Sequence, residues 1–189
     1  MLYLPHQNYT DMKIGIFCSA NDNIDPDFFK LTEELGTWIA TEGHTLVYGG
    51  CNIGLMECVA KAVHLGGGQT IGVIPSRMER GGKMSDYIDV HVPCDDLNDR
   101  KQLLMAQSDA FVALPGGVGT LDEIFTVAAS KTVGYHNKKV VLYNMKGFWQ
   151  SAIDLLDDLQ KRGFVRGQWP DLIKVANSLD ELRSLIANS

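Results

Sequence analysis

The chain has 189 residues, 45% of them hydrophobic and 21% charged, and a formal net charge of −6. That length suits one domain with its own core, so a single unit over residues 1–189, with its core at about 13–187, is expected. The acidic balance argues against a nucleic-acid backbone as partner, and no apolar run approaches the ~20 residues of a membrane span.

Strand-like apolar runs alternate with helix-period segments along the chain. Lys13–Cys18 reads as a first strand. Asp25 offers an N-cap with Pro26 behind it, and Phe28, Leu31, Leu35, Trp38 and Ile39 follow at helical spacing until Gly43. His44–Tyr48 is a second strand, Gly54–Leu65 a helix, and Thr70–Ile74 a third strand stopped by Pro75. Ser76–Ile88 has no clear period and reads as a mobile surface loop. Asp89–Val92 is a short strand and Asp96–Gln107 a helix. Asp109–Leu114 is a strongly apolar strand, ahead of a glycine-rich turn and a long helix. Lys139–Tyr143 is a further strand, about Phe148 to Lys161 a helix, and Leu172–Ala176 a last strand. Ser178 and Glu181 form a capping box for the final helix. Strands of continuous Val, Ile and Leu between helices predict an α/β fold, a Rossmann-like doubly wound parallel sheet covered on both faces. Ligands of such sheets lie beyond the carboxyl ends of the strands, at a topological switch point.

Two βα turns at that edge are rich in glycine: Gly49-Gly50-Cys51-Asn52-Ile53-Gly54 and Pro115-Gly116-Gly117-Val118-Gly119-Thr120. Glycine lets backbone N–H groups come close to an anion, and the following helix N-terminus adds donors and a favourable dipole. Together the turns predict an anion site made by Gly49, Gly50, Gly116, Gly117, Val118, Gly119 and Thr120, with the Thr120 hydroxyl as a further donor. Neither turn carries the dinucleotide fingerprint or the P-loop pattern, so the expected ligand is a mononucleotide.

Glu123 stands three residues after Thr120. The pair would make a capping box if Thr120 were the N-cap. Read as chemistry, a carboxylate one turn from a phosphate needs a cation. Arg100 and Lys101, on the preceding helix, are the candidates. The helix N-terminus is expected to keep Glu123 ionised. Such a carboxylate could stabilise an oxocarbenium-like ribosyl centre or orient a water. Arg100 reads either as a ligand with a fork suited to phosphate or as a solvated helix residue. Asp95, Asp96 and Asp99 favour a helix start rather than a metal, and neither metal nor cofactor is expected. Cys18, Cys51, Cys58 and Cys94 lack zinc or C-x-x-C spacing. They are expected to be thiols in a reducing, cytoplasmic setting, with Asp11 and Lys13 interrupting any apolar leader.

Ser108 to Glu123, SDAFVALPGGVGTLDE, carries the pattern P-G-G-x-G-T-x-x-E. Tyr48-Gly49-Gly50, Ile53-Gly54-Leu55-Met56, Gly72-Val73-Ile74-Pro75 and Arg100-Lys101 accompany it. From about Lys13 to Val165 the chain resembles the Lonely Guy family of cytokinin-activating phosphoribohydrolases, often labelled lysine decarboxylases. The resemblance implies hydrolysis of the N-glycosidic bond of a nucleoside 5′-monophosphate, a cytokinin riboside monophosphate or AMP, to free base and ribose 5-phosphate. It implies catalysis by Arg100 and Glu123, a phosphate loop of Gly116, Gly117, Gly119 and Thr120, and a homodimer with sites near the subunit interface. Gly82 stands at the ungapped position of a Glu in the P-R-E segment of the plant members. The segment Ala129–His136 replaces the Thr, Trp and Gln of their T-W-A-Q-L-G-I-H. These departures bear on base preference and point to AMP or another purine nucleotide. The alternative they leave open is a nucleotide-binding regulatory module without catalysis.

Overall fold

The computed structural model describes residues 11–187. Among these, strands β1 (Lys13–Phe17), β2 (Thr45–Tyr48), β3 (Gln69–Pro75), β4 (Val90–Cys94), β5 (Ala110–Ala113), β6 (Lys139–Tyr143) and β7 (Lys174–Ala176) form one sheet. Its order is β4-β3-β2-β1-β5-β6-β7 and every pairing is parallel. Helices α1 (Pro26–Thr41), α2 (Gly54–Leu65), α3 (Ser76–Arg80), α4 (Leu97–Gln107), α5 (Val118–Thr132), α6 (Gln150–Lys161), α7 (Trp169–Leu172) and α8 (Leu179–Ala187) connect and cover the strands. The doubly wound α/β architecture predicted from the strand pattern is the one observed.

Two apolar clusters flank the sheet, as alternate strand side chains require. Ile14, Ile16, Leu46 and Tyr48 join Leu35, Ile39, Leu55 and Val59 of α1 and α2 on one side. Phe17, Val47, Phe111 and Val140 join Leu104, Ile124, Val127 and Leu156 of α4, α5 and α6 on the other. β1 pairs with β2 on one side and β5 on the other. The chain therefore builds outward from β1 to β4, then returns through α4 to β5. That reversal opens a crevice over the carboxyl ends of β1 and β5, where the loops no longer run to the same side.

Several boundaries differ from the sequence reading, each for a physical reason. Ser76–Ile88 is no mobile loop. It opens as α3, and its second half is pinned to the β2–α2 turn: Ser85 N–H donates to Gly50 O at 2.9 Å and Asn52 N–H to Lys83 O at 3.1 Å. Cys51 and Met84 form an antiparallel bridge there. Backbone anchors of this kind leave no periodic trace in the side chains. β4 runs on through Pro93 to Cys94, because an edge strand tolerates a missing N–H. Leu172 ends the short helix α7 rather than opening a strand. Trp169 fixes that helix through its indole to Asp157 at 2.7 Å and its N–H to Gln160 at 2.8 Å. The helix expected from Phe148 begins at Gln150, after a short 3₁₀ turn at Met145–Gly147. The cap of α8 forms as expected, Glu181 N–H donating to Ser178 Oγ at 3.2 Å while the Glu181 carboxylate accepts from Asn177 N–H at 2.7 Å.

Candidate active site at the switch point

The β5–α5 turn lies beside the crevice. Gly117 is the N-cap of α5, and no side chain caps this helix. The first intrahelical acceptance is by Gly117 O, from Leu121 N–H at 3.1 Å. The N–H groups of Val118, Gly119 and Thr120 are the first-turn donors that a helix leaves without intrahelical acceptors, at the positive end of its dipole. The predicted capping box does not form: Thr120 is the third residue of the helix and Glu123 the sixth. A Cβ at Gly116 would overlap the Thr120 side chain, so that glycine is required by packing. A Cβ at Gly117 or Gly119 would meet nothing within 4 Å. Nothing in the protein needs glycine there, whereas an anion resting on the backbone would. Val118 is 84% exposed and Thr120 is buried.

The earlier glycine turn is different. Gly54 N–H donates to Asp22 Oδ1 at 2.9 Å and Leu55 N–H to Ser19 O at 2.9 Å. A carboxylate and a carbonyl of the chain already occupy the start of α2. Gly50 has φ +69°, and a Cβ on it would press on Ile74. A Cβ on Gly49 would overlap the guanidinium of Arg100. Gly49 and Gly50 thus make room for Arg100 and Ile74, and two first-turn donors of α2 are already taken by the chain itself. Asp22 and Ser19 decide this, and no local signal marked them.

Arg100 is buried, not solvated. Asp96 caps α4 by accepting from the N–H groups of Asn98 and Asp99, which sets the helix that carries Arg100 inward. Its Nε donates to Val73 O at 3.1 Å and its Nη2 to Gly49 O at 2.9 Å. Its Nη1 lies 3.6 Å from Glu123 Oε1. Glu123 is 7% exposed, and burial pushes its carboxyl up to about 7, with Arg100 opposing the rise. The expected effect of the helix N-terminus is therefore overridden by desolvation. Lys101 acts on Glu123 only through its charge. It holds both carboxylate oxygens of Asp122, at 3.0 and 2.9 Å. Among the described residues no group of three or more His, Cys, Asp and Glu could hold a metal ion. No described helix is long and apolar enough to cross a membrane.

The site thus places the uncapped, sterically open start of α5 on the same helix as a buried carboxyl, raised to about 7 and held against a fixed guanidinium. A family model described as possible lysine decarboxylase matches residues 56–186. A protein named probable cytokinin riboside 5′-monophosphate phosphoribohydrolase, from Oryza sativa subsp. japonica, is 34% identical over 170 residues, covering 90% of this chain and 70% of its own. A cytokinin riboside 5′-monophosphate phosphoribohydrolase of Arabidopsis thaliana is also 34% identical, over 90% of this chain and 78% of its own. Among solved structures, the molybdenum cofactor carrier protein of Chlamydomonas reinhardtii is 26% identical with a TM-score of 0.72, over 94% of this chain and 99% of that one. The molybdenum cofactor binding protein of Rippkaea orientalis, 24% identical with a TM-score of 0.73 over 93% of this chain and 95% of that one, shares the fold. Matched by that family model over most of its length, and by enzymes a third identical to it over nine-tenths of its residues, the chain belongs to the Lonely Guy family.

Proposed function

We propose that this chain is a phosphoribohydrolase, cleaving the N-glycosidic bond of a nucleoside 5′-monophosphate to free base and ribose 5-phosphate. The observation that carries the reading is the uncapped, sterically open start of α5, the helix that carries Glu123 of the buried Glu123–Arg100 pair. The N–H groups of Val118, Gly119 and Thr120, with the Thr120 hydroxyl, hold the 5′-phosphate. Gly116, Gly117 and Gly119 give it room. Glu123 is the acid–base group at the ribosyl carbon. Arg100, fixed by two backbone carbonyls, holds Glu123 in place and limits how far its carboxyl rises. Lys101 and Asp122 frame the pair. Gly49 and Gly50 serve by admitting Arg100 and Ile74. The relatives act on cytokinin riboside 5′-monophosphates, so incubation with AMP, isopentenyl-AMP and other 5′-monophosphates, followed by detection of free base, tests the proposal. No release from the whole panel would reject it.

A second reading has one specific support, the likeness to the molybdenum cofactor carrier protein. The same cradle would then hold a phosphate-bearing ligand without cleaving it. Saturable AMP binding with no turnover would favour that reading. Amino-acid decarboxylation, named in the family description, normally runs through pyridoxal phosphate on a lysine. Lys101, the lysine nearest the site by sequence, is engaged by Asp122. An absorbance band from bound pyridoxal in purified protein would revive that activity.

A homodimer working in the cytoplasm completes the reading. Its contact surface would be the apolar groove of 520 Å³ between α5, α6 and α7, lined by Phe125, Val133, Phe164 and Trp169. Phe164, 71% exposed, anchors that surface. Sedimentation of the wild type and of Phe164→Asp tests the assembly. A monomeric wild type would reject it.

A further inference from the structure

We infer that the substrate's own 5′-phosphate, on reaching the start of α5, drives a proton onto Glu123, so that Glu123 meets the bound nucleotide as a neutral acid and gives that proton to the departing base. This inference rests on the phosphoribohydrolase reading.

Few charges surround the Glu123 carboxyl. The Glu123 side chain is 9% exposed, so water screens it poorly. From α4, Arg100 and Lys101 face it; from α5, Asp122; from the end of β1, the Cys18 thiol. Lys101 and Asp122 neutralise each other. Cys18 is buried, and its thiol is pushed well up, chiefly by desolvation. Arg100, at 3.6 Å, is the cation that acts most strongly on Glu123, and its Nε and Nη2 are committed to Val73 and Gly49. Burial already outweighs that one cation and lifts the carboxyl to about 7.

A phosphate dianion on the first-turn N–H groups of α5 would sit near the level of Gly117, ~9 Å along the helix axis from Glu123, whose side chain leans back toward it. At ~9 Å and an effective dielectric constant of ~20, each added negative charge raises a carboxyl by a little more than about one pH unit, and a dianion brings two. Arg100 cannot follow the phosphate without abandoning two buried carbonyls. The Glu123 proton is therefore held across the neutral range once the phosphate is bound.

The reaction then balances with no other acid. The bond from C1′ to the base nitrogen breaks, and its electron pair leaves with the base. The Glu123 proton goes to a nitrogen of the base, which departs neutral. The carboxylate left behind faces the ribosyl cation. Water adds its oxygen to C1′, and the proton it loses returns to Glu123. The products are free base and ribose 5-phosphate, and Glu123 is again an acid.

Titration calorimetry with ribose 5-phosphate near pH 8, in buffers of different ionisation enthalpy, counts the protons taken up. Close to one proton per site is expected for the wild type near pH 8; by pH 6 free Glu123 already carries its proton and the sugar phosphate, with a second pKa of about 6, sheds part of its own, so the excess of wild type over Glu123→Gln should fall toward zero. Glu123→Gln should bind ribose 5-phosphate with the uptake abolished. Binding by the wild type without uptake overturns the inference. Equal uptake by Glu123→Gln places the proton elsewhere and also overturns it. Failure of ribose 5-phosphate to bind rejects the cradle and the inference together. Uptake by a protein that releases no base from any nucleotide rejects the phosphoribohydrolase reading, and the acid step with it.

Discussion

Replacing Glu123 by Gln keeps the shape of the side chain and removes its charge, with opposite consequences for stability and turnover. In the folded protein the carboxyl titrates near 7, above its ordinary 4.5. Between those values the native state holds more protons than the unfolded chain. Stability is thus full below about 4.5 and falls as pH rises, with the loss complete once pH has passed through about 7. At ~1.4 kcal/mol per pH unit, the loss is about 3 kcal/mol. Gln carries no such loss. Thermal denaturation near pH 8 should find the variant more stable, by roughly 6–12 °C for a chain of this size. Near pH 4.5 the two melting temperatures should converge. Turnover of AMP should fall by ~10²–10⁴, the usual contribution of a positioned acid–base group. A variant less stable than wild type near pH 8 would refute the burial argument and restore a capping role, whose loss costs ~1 kcal/mol. Turnover near that of the wild type would refute the catalytic assignment.

Arg100→Ala strips the donor from Gly49 O and Val73 O and leaves Glu123 without a cation. It should cost ~2–4 kcal/mol in chemical denaturation, from two buried carbonyls left without a donor, while Glu123 stays protonated and adds no unpaired charge. Because Arg100 sits against Glu123, turnover of AMP and of adenosine should fall by similar factors; a loss confined to AMP would place Arg100 on the phosphate instead. Gly117→Val puts its side chain into open space at the cradle. The fold should persist by circular dichroism while AMP affinity collapses, and unchanged affinity would remove this loop as the phosphate site. Gly49→Ala drives a methyl into the Arg100 guanidinium. Melting temperature and turnover should fall together, and normal turnover in that variant would show that the Arg100 position is dispensable. In the wild type, AMP should be a far better substrate than adenosine, since phosphate binding energy orients the ribose. Equal activity on both would leave the cradle without a role.

The alternation of Val- and Ile-rich runs with helical periods was enough to read a doubly wound parallel sheet, because burial on both faces imposes that pattern on every strand. The run from Pro115 to Glu123 likewise marked a glycine-rich turn leading into a helix that carries a carboxyl, since tight turns select glycine locally. Other features were settled by residues far away in the chain. Whether a glycine turn is an open cradle depends on who consumes its N–H groups. Asp22 and Ser19 take two of them at α2, while no side chain caps the start of α5. Arg100 gained its place from carbonyls 51 and 27 residues away, so its own helix could not distinguish a buried anchor from a solvated residue. Ser76–Ile88 looked structureless because its order comes from backbone bonds to Gly50 and Asn52. The protonation of Glu123 went against the local expectation. A helix dipole is a property of nearby sequence, but the cost of burying a charge is set by all the chain that folds over it, and here that cost is the larger.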